Sequence, residues 1–170
     1  SMTKYLLVIF LYIMKECTTV FTKSIYCTGA QMETEDYVFW CKEIDEKPRF
    51  HRKQWEFFFI LKTLKENNML IENKHGIGFG VGKEPIPSLL AKYKVYSLAT
   101  DLNENDAIEN GWATTNQYSN SYYDLYKSNI CSKENFEKYT STRVVDMNNI
   151  PNDFDKLFDF TWSSCALEHL

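Results

Sequence analysis

The spacing of apolar residues predicts a strong amphipathic helix in the first half of the chain. Between His51 and Asn67, four apolar side chains fall at i, i+3, i+4 and i+7, which places them on one face of a helix. These four are Phe57, Ile60, Leu61 and Leu64. Trp55 and Phe58 widen the apolar stripe, and Pro48 marks a break in the chain before it.

Shorter apolar runs after this helix predict alternating strands and helices. Met69-Leu70-Ile71 leads into a glycine-rich stretch, after which a short helix over 88–93 precedes a strand that begins at Val95. The remaining predicted elements are helices over 122–130 and 133–139, strands that begin at Arg143 and Leu157, and a helix that begins at Ala166. This alternation favours a mostly parallel sheet with right-handed crossovers, so the predicted fold class is α/β.

Four glycines at alternate positions, Gly76, Gly78, Gly80 and Gly82, dominate the glycine-rich stretch. Glycine lets the backbone turn sharply and lets a ligand approach it closely, because no side chain blocks the path. Asp101 ends the next predicted strand about 20 positions on, where a carboxylate can accept hydrogen bonds from ribose hydroxyls. The pattern predicts a nucleoside or dinucleotide site. Close helix packing is the alternative explanation of the same glycines.

The first 50 residues carry weaker signals. An apolar run from Tyr5 to Met14 is too short to cross a bilayer as a helix, and no small-x-small cleavage site follows it before Cys17. We expect a buried strand or helix, or an apolar flap, with a signal-peptide core as the alternative. The acidic stretch from Glu33 to Glu46 contains aromatic side chains that we expect to pack rather than to line a pocket. Residues 1–50 are therefore predicted to form an amino-terminal extension or lid, and residues 51–170 the main domain.

Composition narrows the class of ligand. The chain has 170 residues, a net charge of -4 and a pI near 5.4, which argues against a broad phosphate-binding surface and so against nucleic acid as a partner. Five cysteines without a CxxC pair indicate reduced thiols in a cytoplasmic protein and no structural metal site. A small molecule or a protein fits this composition better, and we expect no membrane partner.

The residues that follow the predicted strands resemble a known family. Gly78-x-Gly80-x-Gly82, Ala99-Thr-Asp101, Val145-Asp146-Met147 and the segment from Phe158 to Leu170 look like the first half of a class I S-adenosylmethionine-dependent methyltransferase, a Rossmann-like fold. The resemblance covers residues 51–170. The segments His51-Arg-Lys-Gln-Trp-Glu56 and Gly78-Phe-Gly-Val-Gly-Lys-Glu-Pro are also similar to a bacterial subgroup often found with sugar or polysaccharide genes. The implied activity is methyl transfer to a small molecule or a glycan.

The resemblance also implies a role for each matching position. The positions assigned to S-adenosylmethionine binding are Gly78, Phe79, Gly80, Asp101, Asp146, Met147 and Ser163. The first three would form the turn under the methionine part of the cofactor, and Asp101 would hold the ribose. Asp146 and Met147 would flank the adenine, while Ser163 would line the pocket near the sulfonium.

One position departs from the family pattern. The family commonly has an acidic residue two positions before the first glycine of its motif, where it contacts the methionine amine, and here that position is Gly76. Glu84, near the start of the next helix, is the candidate substitute if its side chain turns back toward the ligand.

His169 is the candidate catalytic base. Methyl transfer needs mainly alignment of the reacting atoms, and a base helps when the acceptor is a hydroxyl. His169 follows the fourth strand beside Glu168, although both residues are equally compatible with capping or orienting the helix there. Cys165 lacks a partner base nearby in sequence, so we expect a buried apolar side chain rather than a nucleophile.

The number of predicted strands leads to two further alternatives. The family has seven strands, and only about four are predicted here, in the spatial order 3-2-1-4 with the fourth at an open edge. We therefore expect a truncated domain, with self-association or a partner chain at that edge. An inactive methyltransferase-like fold that acts as an interaction or assembly protein is one alternative function. An NAD-dependent oxidoreductase is the other.

Overall fold

The computed structural model describes residues 24–101, 122–155 and 157–167. The helices in these ranges are α1 (Glu35–Glu43), α2 (Arg52–Glu66), α3 (Ile86–Lys92) and α4 (Lys133–Tyr139). The strands are β1 (His75–Phe79), β2 (Tyr96–Asp101), β3 (Thr140–Val144) and β4 (Phe160–Ser163). Short 3-10 helices span Gly29–Glu33, Tyr122–Leu125 and Asn152–Phe154. The predicted apolar run 5–14, the polar stretch 102–121 and His169 lie outside the described residues.

The four strands form one parallel sheet in the order β3-β2-β1-β4. Gly78 of β1 lies opposite Ala99 of β2 on one side and opposite Trp162 of β4 on the other. The α/β class, the parallel pairing and the predicted order 3-2-1-4 are confirmed, and the arrangement with flanking helices is Rossmann-like. Within the described ranges, β3 and β4 are the edge strands.

Two of the alternating glycines lie inside a strand. Gly76 and Gly78 belong to β1, and a Cβ atom on either would overlap an aromatic ring of β4: that of Phe160 at Gly76 and that of Trp162 at Gly78. Aromatic side chains of the edge strand thus fill the space that side chains of β1 would otherwise occupy. The strand was not evident from the sequence, because glycine is depleted in strands in general.

Helices α1 and α2 pack together beside the sheet. Thr34 caps α1 by accepting a hydrogen bond from the backbone N–H of Tyr37 at 3.2 Å. Tyr37 and Trp40 of α1 belong to the same hydrophobic core as α2, so the predicted packing of the acidic aromatic stretch is confirmed for these two side chains, whereas Phe39 is 50% exposed. The Tyr37 hydroxyl lies 2.9 Å from Oε1 of Gln54, which explains why this polar residue of α2 is buried.

The structure differs from the prediction in the bounds of two elements, the helix over 122–130 and the strand that begins at Arg143. The helix predicted over 122–130 is a 3-10 helix over Tyr122–Leu125 followed by turns, and the hydroxyl of Ser88 bonds to its end. Ser88 Oγ donates to the Leu125 carbonyl oxygen at 2.7 Å and accepts from the Lys127 N–H at 2.8 Å. Ser132 caps α4, and β3 begins directly after that helix rather than at Arg143.

One face of the sheet carries a cavity. On the face that carries Ile77 and Phe79, a largely apolar cavity of about 540 Å³ lies between the sheet and the connection from β3 to β4. Phe154 and Phe158 of that connection contribute to the wall of the cavity.

Among the helices that the structure describes, none combines the length and the apolar composition that a membrane span requires.

Candidate functional site

The carboxyl ends of the four strands meet at one edge of the sheet. Phe79 at the end of β1 pairs with Thr100 of β2 and with Ser163 of β4, and Asp101 pairs with Val144 of β3. Ligands of parallel α/β sheets bind outside this edge, where the strand order reverses. Here the order reverses between β1 and β4, so the candidate site lies around the turn that follows β1.

Gly80 forms that turn. Its backbone adopts a φ of +63°, and a Cβ atom there would overlap the Cβ atom of Ala166, so glycine is required both by conformation and by space. The side chain of Met147 lies 3.6 Å from the same Cβ position. The structure therefore brings Gly80 and Met147, two of the predicted cofactor-binding residues, together. Gly78 and Phe79 lie within β1, so only Gly80 of the predicted three is in the turn itself.

Hydrogen bonds between strand ends hold the turn in place. Thr100 Oγ1 donates to the carbonyl oxygen of Gly78 at 2.7 Å, and the N–H of Val81 donates to the carbonyl oxygen of Thr100 at 2.9 Å. Ser163 Oγ donates to the carbonyl oxygen of Phe79 at 2.9 Å. The Ser163 hydroxyl thus joins β4 to β1.

Asp101 and Asp146 occupy different surroundings. Asp101 is the last residue of β2 and is partly buried at the candidate edge. Asp146 is exposed, and its Oδ1 accepts hydrogen bonds from the backbone N–H and the side-chain amide of Asn148 at 2.8 and 3.1 Å. The Asp146 carboxylate therefore stabilises its own turn, a local role that Asp residues often play.

A buried carboxylate lies just before α3. Glu84 is only 3% exposed, and its Oε1 accepts a hydrogen bond of 2.8 Å from the indole Nε1 of Trp162. Burial raises the pKa of Glu84 to about 7, while the Trp162 hydrogen bond and the charge of Lys53 act in the opposite direction. The charges of Asp101 and Glu56 raise this pKa further. Glu84 thus shares an electrostatic environment with Asp101 and with the start of α2.

A second buried carboxylate comes from α2. Glu56 is 1% exposed, and its Oε2 accepts hydrogen bonds from Ser164 Oγ at 3.1 Å and from Cys165 Sγ. Its Oε1 lies 3.4 Å from Nε of Arg52. Burial first, and then the Glu56 hydrogen bond and charge, raise the pKa of Cys165 to about 11, so this thiol is a hydrogen-bond donor rather than a thiolate nucleophile at neutral pH.

The start of α3 offers few hydrogen-bond donors to an anion. Pro85 precedes the helix and Pro87 is its second residue, and neither has a backbone N–H group. The buried carboxylate of Glu84 immediately precedes them. A phosphate site at a helix start uses free N–H groups and positive potential, and here two prolines remove two such N–H groups and a buried carboxylate precedes them.

No cluster suited to a metal ion occurs in the residues that the structure describes, where His, Cys, Asp and Glu do not assemble in groups of three or more. The side chains near the turn after β1 instead include the carboxylates of Glu84 and Asp101.

The sequence singled out Glu84 as a candidate site residue but missed Glu56, which is also buried. Glu56 lies between Trp55 and Phe57 in the sequence of α2. Its burial can be explained only by its hydrogen-bond partners after β4, which the local sequence does not indicate. Comparisons of the chain with protein-family models, with curated proteins and with solved structures found no match.

Proposed function

We propose that this protein binds S-adenosylmethionine at the carboxyl edge of its sheet and is a methyltransferase that acts on a small molecule or glycan in the cytoplasm. The observation that carries the proposal is the charge of the turn after β1. Glu84 is a buried carboxylate in this turn, Asp101 is a second carboxylate at the end of β2, and Pro85 and Pro87 remove two N–H donors from the helix that follows. These features favour a cationic nucleoside over a pyrophosphate.

The available residues fit the parts of such a cofactor. Gly80 gives the turn its positive φ, Met147 offers an apolar side chain beside it, and Asp101 at the end of β2 would accept hydrogen bonds from ribose hydroxyls. When bound, S-adenosylmethionine supplies a methyl group activated by the sulfonium. The protein's own contribution is then to hold the acceptor in line with that methyl group. His169 remains the proposed base for a hydroxyl acceptor.

The same features disfavour an NAD-dependent oxidoreductase. A pyrophosphate at this turn would approach the Glu84 carboxylate and two prolines, where a dinucleotide-binding helix start offers N–H donors. Thermal denaturation with millimolar ligand tests the preference. We expect S-adenosylmethionine or S-adenosylhomocysteine to raise the melting temperature and NADH to leave it unchanged. A shift with NADH alone would contradict the proposal.

A second candidate function is that of an interaction or assembly protein. The observation that favours it is the edge position of β4, whose only strand partner in the described part of the sheet is β1. Exposed backbone N–H and C=O groups on an edge strand pair readily with another chain. Light scattering across a concentration series tests this function: growth of the dimer with concentration supports it, and a monomer throughout contradicts self-association.

A further inference from the structure

We propose that the apolar cavity beside β1 and β4 is a ligand site separate from the proposed cofactor site, and that it binds a small molecule with an apolar body and an ammonium group. The cavity lies on the face of the sheet, between the strands and the connection from β3 to β4. The inference goes beyond the proposed function and does not require it. Phe79 lines the cavity and also ends β1, so the two sites are neighbours.

The outer wall of the cavity is attached to the sheet at both of its ends. At one end, Arg143 of β3 forms an ion pair of 2.9 Å with Asp153, and its guanidinium lies 4.6 Å from the ring centre of Phe154. At the other end, the N–H of Asp159 donates to the carbonyl oxygen of His75 at 2.7 Å, and the His75 N–H donates to the Asp159 carboxylate at 2.9 Å. The cavity is therefore bounded by a wall held at two points rather than by a free loop.

Apolar side chains form most of the cavity surface. Ile77 of β1 pairs with Thr161 of β4, and both residues line the cavity on its sheet side. Phe79, Phe154 and Phe158 add aromatic rings. Water in such a space finds few hydrogen-bond partners, so an apolar group that displaces it is favoured. The volume of about 540 Å³ falls within the range of about 300–1,000 Å³ that is typical of small-molecule sites.

The charge around the cavity favours a cation. Asp155 is the one charged residue among the lining residues that the structure describes, and it is exposed, so it lies where the cavity meets solvent. The connecting segment 146–159 contains four aspartates and one lysine, and Arg143 outside it already pairs with Asp153. An ammonium group at the mouth of the cavity would be attracted by this charge, whereas a carboxylate would be repelled.

The test uses three probes that share a phenyl ring on a butyl chain and differ in the polar group: phenylbutylamine, phenylbutanol and phenylbutyrate. Calorimetric titrations use the full chain as wild type, Asp155→Asn and Thr161→Phe. The first variant removes the charge at the mouth with little change of size, and the second places a ring in the cavity. Asp36→Asn is the control, because Asp36 is exposed on α1 and does not line the cavity.

We expect wild type to bind the amine most tightly, the alcohol less tightly and the carboxylate least. Asp155→Asn should weaken binding of the amine by about two- to fivefold, as for an exposed ion pair, and leave the alcohol unchanged. Thr161→Phe should weaken all three probes by about tenfold or more, because the phenyl ring of the probe loses its apolar surroundings. Asp36→Asn should match wild type. Equal affinities for amine and carboxylate, or no binding by wild type, would overturn the inference.

Nuclear Overhauser effects locate the probe without relying on a variant that has to fold. In wild type we expect cross-peaks between the phenyl protons of the amine and the methyl groups of Ile77 and Thr161. Cross-peaks to other parts of the chain alone would overturn the inference. A dimer that Thr161→Phe dissociates, with no probe bound, would also overturn it, because a second copy would then cover this face. Titration of the same samples with S-adenosylhomocysteine tests the proposed function separately, so either proposal can fail alone.

Discussion

The indole N–H of Trp162 donates a hydrogen bond of 2.8 Å to the carboxylate of Glu84, and both side chains are buried. This bond connects β4, at the edge of the sheet, to the turn that precedes α3. The two residues are 78 positions apart in sequence, so the contact is made only when the sheet has its native strand order. It fixes one buried acid at the point where the candidate site is expected.

Replacing Trp162 should therefore destabilise the protein through the loss of this hydrogen bond as well as through lost packing. We expect Trp162→Phe to cost about 1.5–3 kcal/mol more than Trp55→Phe, the range for hydrogen bonds to charged groups. Trp55 is a matched control, because it is equally buried and its Nε1 has no hydrogen-bond partner in the described residues. Urea denaturation measures both values, and equal losses for the two variants would contradict a role for the bond.

Glu84 should make stability depend on pH in an unusual direction. Its native pKa of about 7 exceeds the ordinary value of 4.5, so between these values the native state holds a proton that the unfolded chain has released. The stabilisation of the native state by protonated Glu84 is fully present below the unfolded pKa and is lost as pH rises through about 7. In wild type we expect the free energy of unfolding to fall by on the order of 2–3 kcal/mol between pH 5 and 8. In Glu84→Gln this fall should be absent. Parallel profiles for wild type and variant would show that Glu84 does not titrate in this range.

The glycines inside β1 should tolerate no side chain. Gly76→Ala would force the new methyl group into the ring of Phe160, and we expect a loss of about 1–3 kcal/mol, which is typical of overpacking. Gly29→Ala serves as the control, because the nearest atom to its added Cβ would be a ring carbon of Phe50 at 3.6 Å, an ordinary contact. Thermal or urea denaturation of both variants tests this packing, and a neutral Gly76→Ala would refute it.

Cys165 should react slowly with alkylating reagents because burial, and then the hydrogen bond to and charge of Glu56, raise the pKa of its thiol. We expect Glu56→Gln to speed the labelling of Cys165 by iodoacetamide at pH 8, since the variant removes the carboxylate charge that raises the pKa of the thiol. Peptide mass spectrometry can follow Cys165 separately from the buried Cys131. Unchanged labelling of Cys165 would show that accessibility, rather than the carboxylate, sets its reactivity.

The sheet could be predicted from the sequence mainly because helix α2 and strand β2 have clear local patterns. The apolar stripe of α2 indicates its buried face, and the run that ends at Asp101 indicates a buried strand. Strand β1 could not be placed in the same way, because its glycines make sense only beside Phe160 and Trp162 of β4. Its residues carry no local strand signal, and the compensation comes from side chains distant in sequence.

The candidate site was only partly predictable for the same reason. Gly80 and Asp101 could be singled out, because a glycine turn and an acid at the end of the next strand form a local pattern. The burial of Glu56 and Glu84 depends on partners after β4, so no local pattern distinguishes them from acids on the surface.

Calorimetric titration of the full chain with S-adenosylhomocysteine, for wild type and Asp101→Ala, tests the central claim most directly. The account predicts saturable binding by wild type, a loss of about tenfold or more with Asp101→Ala because the ribose hydroxyls lose a charged acceptor, and no binding of NADH. Circular dichroism would verify that the variant remains folded. Binding of NADH, or the absence of heat with S-adenosylhomocysteine at millimolar concentration, would contradict a cofactor site for S-adenosylmethionine at this edge of the sheet.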